Sequence, residues 1–267
     1  MFDHLVHYVE EPHDVIPYLN QKGIHAVEGG KHGNRPTYNT LSYFDLSYIE
    51  FIGTSNRQAL EKIDHPRFSN IETIINDQYK EGFVRFVVRT NNIEASAEHF
   101  RSKGLSVIGP IPLSRKRPDG TLLEWKLLYI GHEDEHLQLP YIIEWGESDE
   151  ERRAELIDHH TIVEHPSGAT LSNVIFAVHH VDDVIEKWSD WLGLEEMGNS
   201  YVDDTLNATC RTLKLPGGHL VFASPLGEGI VADVLAERGE KPFQVNFDSK
   251  IDQSFEMFGG IYQMNSK

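Results

Sequence analysis

The sequence predicts an α+β protein built from repeated strand-helix-strand-strand-strand modules. Three observations point there. The same order of apolar runs and breakers recurs three times in the 267 residues, each helical stretch ends at a glycine, and turn residues separate the strand-like runs. In the first copy His4 to Val9 reads as a strand, Pro12 and Asp14 open a helix that Gly23 stops, and three strands follow at Ile24 to Glu28, Thr37 to Phe44 and Tyr48 to Ile52. The second opens at Phe83 to Thr90 and carries a helix from Asn92 to Gly104. Its strands are Ser106 to Ile108, Leu122 to Tyr129 and Pro140 to Trp145, with turn chemistry at Arg115 to Gly120. The third has a strand at Val174 to His179, a helix from Asp182 stopped by Gly193, and strands at Glu195 to Val202, Ala208 to Leu215 and Leu220 to Ala223. A helix over Ile230 to Arg238 and a strand over Pro242 to Phe247 then read as a truncated fourth copy.

One such module cannot cover both faces of its small sheet, so modules pair, and paired sheets curve around a cup. The expected organisation is a pair over residues 1–147 (modules 1–55 and 82–147, joined by a helical connector over 56–81), a linker over 148–170, and a third module with its C-terminal helix and strand over 171–267. Within the linker, the charged run Ser148 to Arg153 reads as a solvated helix start.

Composition narrows the function classes. With 24 Lys and Arg against 42 Asp and Glu the net charge is −18, which repels polyanions, so nucleic acid and anionic membranes are not expected partners. A single cysteine, Cys210, cannot form an internal disulfide or a Cys-rich metal cluster. No apolar run approaches the roughly 20 residues a membrane span needs, and the N-terminus has no signal-peptide pattern, so a cytoplasmic protein is expected. The 15 histidines suit metal ligation and proton transfer.

Three segments resemble the vicinal oxygen chelate superfamily, in particular its glyoxalase-like branch: Asp3-His4-Leu5-Val6, Tyr48-Ile49-Glu50-Phe51-Ile52-Gly53, and Trp188 to Leu194. Local matches at Gly29-Gly30-Lys31-His32, Thr37-Tyr38-Asn39, Arg117-Pro118-Asp119-Gly120 and Glu124-Trp125 add to it, and the resemblance covers most of residues 1–225. It implies a cup in which His and Glu hold a divalent metal (Fe, Mn, Ni or Zn), and it places metal ligands at His4 and Glu50, with Glu144 as the second copy's counterpart of Glu50. Aligning Asn92-Ile93 with Glu11-Pro12 sets Arg85 where a second strand histidine would stand, and arginine cannot ligate a metal. Two readings remain open. Either His4, Glu50 and Glu144, with His32 or water completing the set, hold a metal while Arg85 fixes an anionic substrate, or the metal is lost and Arg85 pairs with Glu50 or Glu144. In the first, Glu50 or Glu144 alternates between ligand and general base. His32, Asn39, Arg117 and Trp125 are candidate substrate contacts.

Alternation places His4, Val6 and Tyr8 on one face of the first strand, with His7 on the other packing against a helix. Trp188 and Trp191 read as helix residues packed on the sheet. The His132-Glu133-Asp134-Glu135-His136 pattern is rejected as a zinc site because it sits between strands with no room for a helix. The function implied is a metal-dependent lyase, isomerase or dioxygenase acting on a small polar metabolite. The alternative is a non-catalytic binding protein that uses the same cup without metal, as resistance proteins of the superfamily do. A third possibility is a dimerising module whose interface is an exposed sheet edge at Phe243 to Phe247.

Overall fold

In the computed structural model, which describes residues 1–33, 35–116 and 122–267, the chain runs β1(Phe2–Tyr8), α1(Pro12–Gln21), β2(Val27–Lys31), β3(Thr37–Phe44), β4(Ser47–Thr54), α2(Arg57–Lys62), α3(Asn70–Asn76), β5(Gly82–Arg89), α4(Ile93–Ser102), β6(Ser106–Lys116), β7(Leu122–Gly131) and β8(Tyr141–Trp145). It continues with α5(Asp149–Asp158), β9(Thr170–Ala177), α6(Val181–Leu192), β10(Tyr201–Asp203), β11(Ala208–Leu213), β12(His219–Pro225), α7(Ile230–Arg238), β13(Lys241–Ser249), β14(Gln253–Met257) and β15(Gly260–Ser266). Arg117 and the turn expected around it lie outside the described residues. Local chemistry sets the helix ends. Pro12 opens α1 after Glu11, whose carboxylate accepts from His13 N–H, and Asn92 caps α4 by accepting from Ala95 N–H. Ser148 and Glu151 form a reciprocal capping box on α5, and Gly193 ends α6 in the left-handed region at φ 64°.

Two curved mixed sheets result. The first has the order β2-β3-β4-β1-β5-β8-β7-β6, and the second β10-β11-β12-β9-β13-β15-β14. In the first, β1 runs parallel to β4 and antiparallel to β5, which in turn runs parallel to β8, so two modules meet at β1 and β5. The second repeats this plan, with β9 parallel to β12, β13 parallel to β15, and β9 antiparallel to β13 at its centre. Strand β13 therefore has neighbours on both sides, and the exposed edge expected at Phe243 to Phe247 does not exist. It is covered by β15, the second arm of a hairpin with β14 that the sequence reading did not anticipate. The hairpin turn explains the omission. Phe258 and Gly259 both adopt positive φ, at 49° and 71°, and a phenylalanine there gives no Asn-Gly type of turn signal.

The central strand β1 is buried on both faces, because each face has its own cover. Val6 and Tyr8 point into the concave side with Val84, Val87, Tyr129 and Ile143, where the connector helices add Leu60, Ile71 and Ile74. Leu5 and Val9 point the other way, into a core shared with α1, α4, α6 and the second sheet. Trp188 of α6 ties the two sheets together: its ring stacks on Phe86 of β5, 5.7 Å between centroids, and meets Phe176 and Phe222 edge-on. The concave side of the second sheet is filled by its own apolar cluster, Cys210, Ala223, Phe243 and Val231 of α7 among it.

His7 sits on that shared side, packed not against a helix but against Phe51, Phe83 and Tyr262 of β15. Its Nε2–H donates to the Phe258 carbonyl at 2.8 Å and its Nδ1 accepts from the Tyr262 hydroxyl at 2.6 Å, which fixes a neutral ring. Burial pushes its pKa down to about 3, and burial likewise lowers His165, which donates to Tyr43 O and accepts from His25 N–H, to about 4. Below pH ~6.5 the unfolded chain binds protons that the fold refuses, so this stability is complete above that pH and declines as pH falls toward 4. Each histidine should cost about 2 kcal/mol between pH 7.5 and pH 5. Urea unfolding of wild type and His7→Gln at the two pH values checks this: the variant should lose less on acidification, and an equal loss would refute the assignment.

Candidate active site

The concave side of the first sheet holds a cavity of about 780 Å³, within the range of small-molecule sites. Its walls are largely aromatic and aliphatic, with Tyr43, Tyr48, Trp125, Tyr129, Tyr141 and Trp145 among them. Its polar lining includes His4 and Glu50, both buried, at 4% and 8% exposure.

The geometry starts from Asp3, which is fully buried at the head of β1. Its Oδ1 accepts from His4 Nδ1 at 2.7 Å, and its Oδ2 accepts from Arg89 at 3.1 Å and from the Trp145 indole at 3.0 Å, with Arg152 at 3.7 Å. Burial alone would raise this carboxyl, but Arg152, His4 and Arg89 outweigh it and hold it well below the usual carboxylate range. With the Nδ1 proton committed to Asp3, His4 presents a lone pair at Nε2, which accepts from the Tyr141 hydroxyl at 3.2 Å and stands 3.7 Å from Glu50 Oε2. Burial pushes the Tyr141 phenol well above its ordinary pKa, so it stays a donor. The His4 ring stacks on Tyr48, which stacks on Tyr43, each pair 4.5 Å between centroids. Glu50 Oε1 accepts from the Asn39 amide at 2.6 Å, and that amide also lies 3.1 Å from His32 Nε2, whose ring is oriented by Thr37 at 2.9 Å. Asn39 is held so close to β2 that only glycine fits at 29: a Cβ there would lie 2.2 Å from Asn39 Oδ1.

Of the residues named from sequence, the structure thus brings together His4, Glu50, His32 and Asn39, and puts Trp125 on the cavity wall. Two are corrected. Glu144 points away from the cup: it accepts from Ile93 N–H at the start of α4 at 2.7 Å and pairs with Lys126 at 3.0 Å. The register explains why. Val9 N–H bonds Ile52 O as Thr90 N–H bonds Ile143 O, and Tyr8 faces Ile52 as Arg89 faces Ile143, so the counterpart of Glu50 is Tyr141. Glu144 is three residues further on, an odd step that puts it on the opposite face. Arg85 is indeed His4's counterpart on this register, but it neither lines the cavity nor meets Glu50 or Glu144. It lies fully buried under the connector, bonded to Phe68 O, Gln138 Oε1, Leu139 O at 3.1 Å and Thr73 Oγ1 at 3.3 Å, and burial lowers its pKa to about 10.

This decides whether the residues fit the metal that the resemblance implies. The second His and Glu positions are Arg85, locked to backbone carbonyls, and Tyr141, a protonated phenol bonded to His4. Among the described residues no group of three or more His, Cys, Asp or Glu is arranged to hold a metal ion. His32 Nε2 stands 3.5 Å from Glu50 Oε1 but takes the Asn39 amide, so the donor set does not fit the expected metal.

The match to the glyoxalase-like domain covers residues 2–192, which takes in the first sheet, the connector, α5 and α6. The chain belongs to that family. This glyoxalase-like protein is thereby a member of the vicinal oxygen chelate superfamily, and its curved mixed sheets are that fold. It superposes on a hypothetical protein from Staphylococcus aureus with a TM-score of 0.81 at 23% identity, covering 100% of this chain and 99% of that one. A mutant of 4-hydroxymandelate synthase from Streptomyces coelicolor matches with a TM-score of 0.62 at 9% identity, over 94% of this chain and 71% of that one. Both likenesses concern the fold. No curated protein sequence matches the chain. Among the described residues no helix is long and apolar enough to cross a membrane.

Sequence reasoning missed Asp3, Tyr141 and Arg152. Asp3 had a signal, since it adjoins His4 in the motif that carries the resemblance. Tyr141 was hidden by the offset that selected Glu144. Arg152 lies in the run read as a solvated helix start, yet it is only 3% exposed. The new assignment of Glu144 is checked by Glu144→Gln, which should cost about 0.5–1 kcal/mol of stability through its helix-capping role and leave ligand affinity and turnover at wild-type levels. A variant folded as stably as wild type but inactive would return Glu144 to the site.

Proposed function

We propose that this protein is an acid-base enzyme of the glyoxalase-like type, moving a proton at the carbon next to a carbonyl in a small metabolite. The observation that carries the reading is the convergence of Glu50, His4 and Tyr141 at the polar part of an otherwise aromatic cup. Glu50 accepts from Asn39 on one oxygen, and the other, 3.7 Å from His4 Nε2, is the one placed to take a proton from carbon. Tyr141, by turning its hydroxyl from His4 Nε2 to the carbonyl oxygen, donates there and stabilises the enolate as it forms, while His4, held by Asp3, positions the phenol. The aromatic walls lower the polarity around this exchange. Residues 1–147 house the reaction in this reading, and residues 171–267 form a second unit that backs the first sheet. Buried Cys210, with no partner for a disulfide, supports a reducing cytoplasmic setting.

A second reading is favoured by one observation: with Arg85 and Tyr141 in place of a second ligand pair, the cup could also serve a protein that binds without turnover. Exchange of the α-hydrogen in D2O, followed by NMR over a panel of small 2-oxo and 2-hydroxy carbonyl compounds, separates the two. For a compound that exchanges, Glu50→Gln should slow the reaction by at least about 100-fold while binding is retained. Equal exchange in the variant would remove Glu50 as base, and binding without exchange across the panel would favour the sequestration reading.

A further inference from the structure

Arg152 is the least expected group on the cavity wall. It projects from α5, outside the two modules that make the first sheet, and is only 3% exposed. Among the described residues neither Nη1 nor Nη2 has a hydrogen-bond partner of good geometry, although the Tyr43 hydroxyl lies near enough to favour the charge. Its nearest carboxylate is Asp3, at 3.7 Å, but Asp3 is already engaged by His4, Arg89 and Trp145. Arg89 has a second counterion in Asp149, at 2.9 Å. Trp145 covers one face of the Arg152 guanidinium, 4.1 Å from ring centroid to Cζ, with the rings of Tyr48 and Tyr43 at 5.9 and 6.0 Å. A buried guanidinium with two idle donor nitrogens is costly to keep unless something completes it.

We propose that Arg152 is the anchor for a carboxylate-bearing ligand whose planar, apolar body lies among Trp125, Tyr129 and Trp145. The stack on Trp145 occupies the face of the guanidinium and leaves its edge, and two nitrogens on one edge match the two oxygens of a carboxylate. A phosphate dianion fits less well, since Asp3 stands beside Arg152 and Glu155, one turn further along α5, lines the same cavity. The stack running from Tyr43 through Tyr48 to His4 joins the Arg152 wall to the Glu50 end of the cup. A carboxylate held by Arg152 therefore sits in the same chamber as the base. The proposal rests on the acid-base reading only in making this ligand the substrate; the anchor itself does not need turnover.

Calorimetric titration with 2-naphthoate, the uncharged 2-naphthamide and phenyl phosphate tests it on the intact protein. Wild type should bind naphthoate at least tenfold more tightly than naphthamide or phenyl phosphate. Arg152→Lys, which keeps the charge beside Asp3 but loses the fork, should weaken naphthoate about tenfold, and Arg152→Met should erase its advantage over naphthamide. Because Arg152→Met removes a charge from beside Asp3, its melting temperature is read first; if it does not fold, the wild-type comparison and Arg152→Lys decide. Equal binding of naphthoate and naphthamide, preference for phenyl phosphate, or no binding at millimolar concentration overturns the proposal. Selective naphthoate binding without α-hydrogen exchange in any carboxylate of the panel leaves the anchor standing and removes the enzyme reading instead.

Discussion

A single buried carboxylate organises this molecule. Asp3 lies at the head of the central strand with no exposure to water, and its charge persists only because imidazole, indole and guanidinium donors converge on it from β1, β5, β8 and α5. Each contact fixes something else. His4 is held in the tautomer that turns Nε2 toward the cup, Trp145 is held as a wall, and Arg152 is drawn in from the helix that follows β8. Remove the carboxylate and two arginines are left in the interior with too few partners, while the histidine loses the bond that orients it.

The first sheet can devote its concave side to a cavity because its other side is so thoroughly covered. A large hollow costs packing energy, and here the compensation comes from the second sheet, through Trp188 lodged against Phe86 and through His7 bonded to Phe258 and Tyr262. The second sheet fills its own concave side with side chains and α7. The two sheets share a plan and differ in what occupies the curve.

Much of the architecture could be read from the sequence, because the signals were local and repeated. Proline and N-cap residues at helix starts, glycine at helix ends and alternation on β1 were enough to find the modules, and the resemblance to the superfamily then put His4 and Glu50 on the inner surface. What escaped depended on register or on tertiary burial. A three-residue offset in the second module exchanged Tyr141 for Glu144, and with a period of two that changed the face. The β14–β15 hairpin turned through Phe258, which carries no turn signal. Arg152 looked like any arginine in a charged helix, and what holds it inside is tertiary: the Trp145 ring, the Tyr43 hydroxyl and Asp3.

The asymmetry between the two modules bears on stereochemistry. In a cup with matched carboxylates, a base stands on either side of a bound carbon, so a proton removed on one side can be returned from the other and the centre inverts. Here the position matching Glu50 belongs to Tyr141, a phenol that burial keeps protonated, so it donates and does not act as a base. A carbon lodged beside Glu50 meets a carboxylate from one side only. In the proposed reaction, proton removal and return would then share one face, and the cup would handle a prochiral centre with a fixed hand.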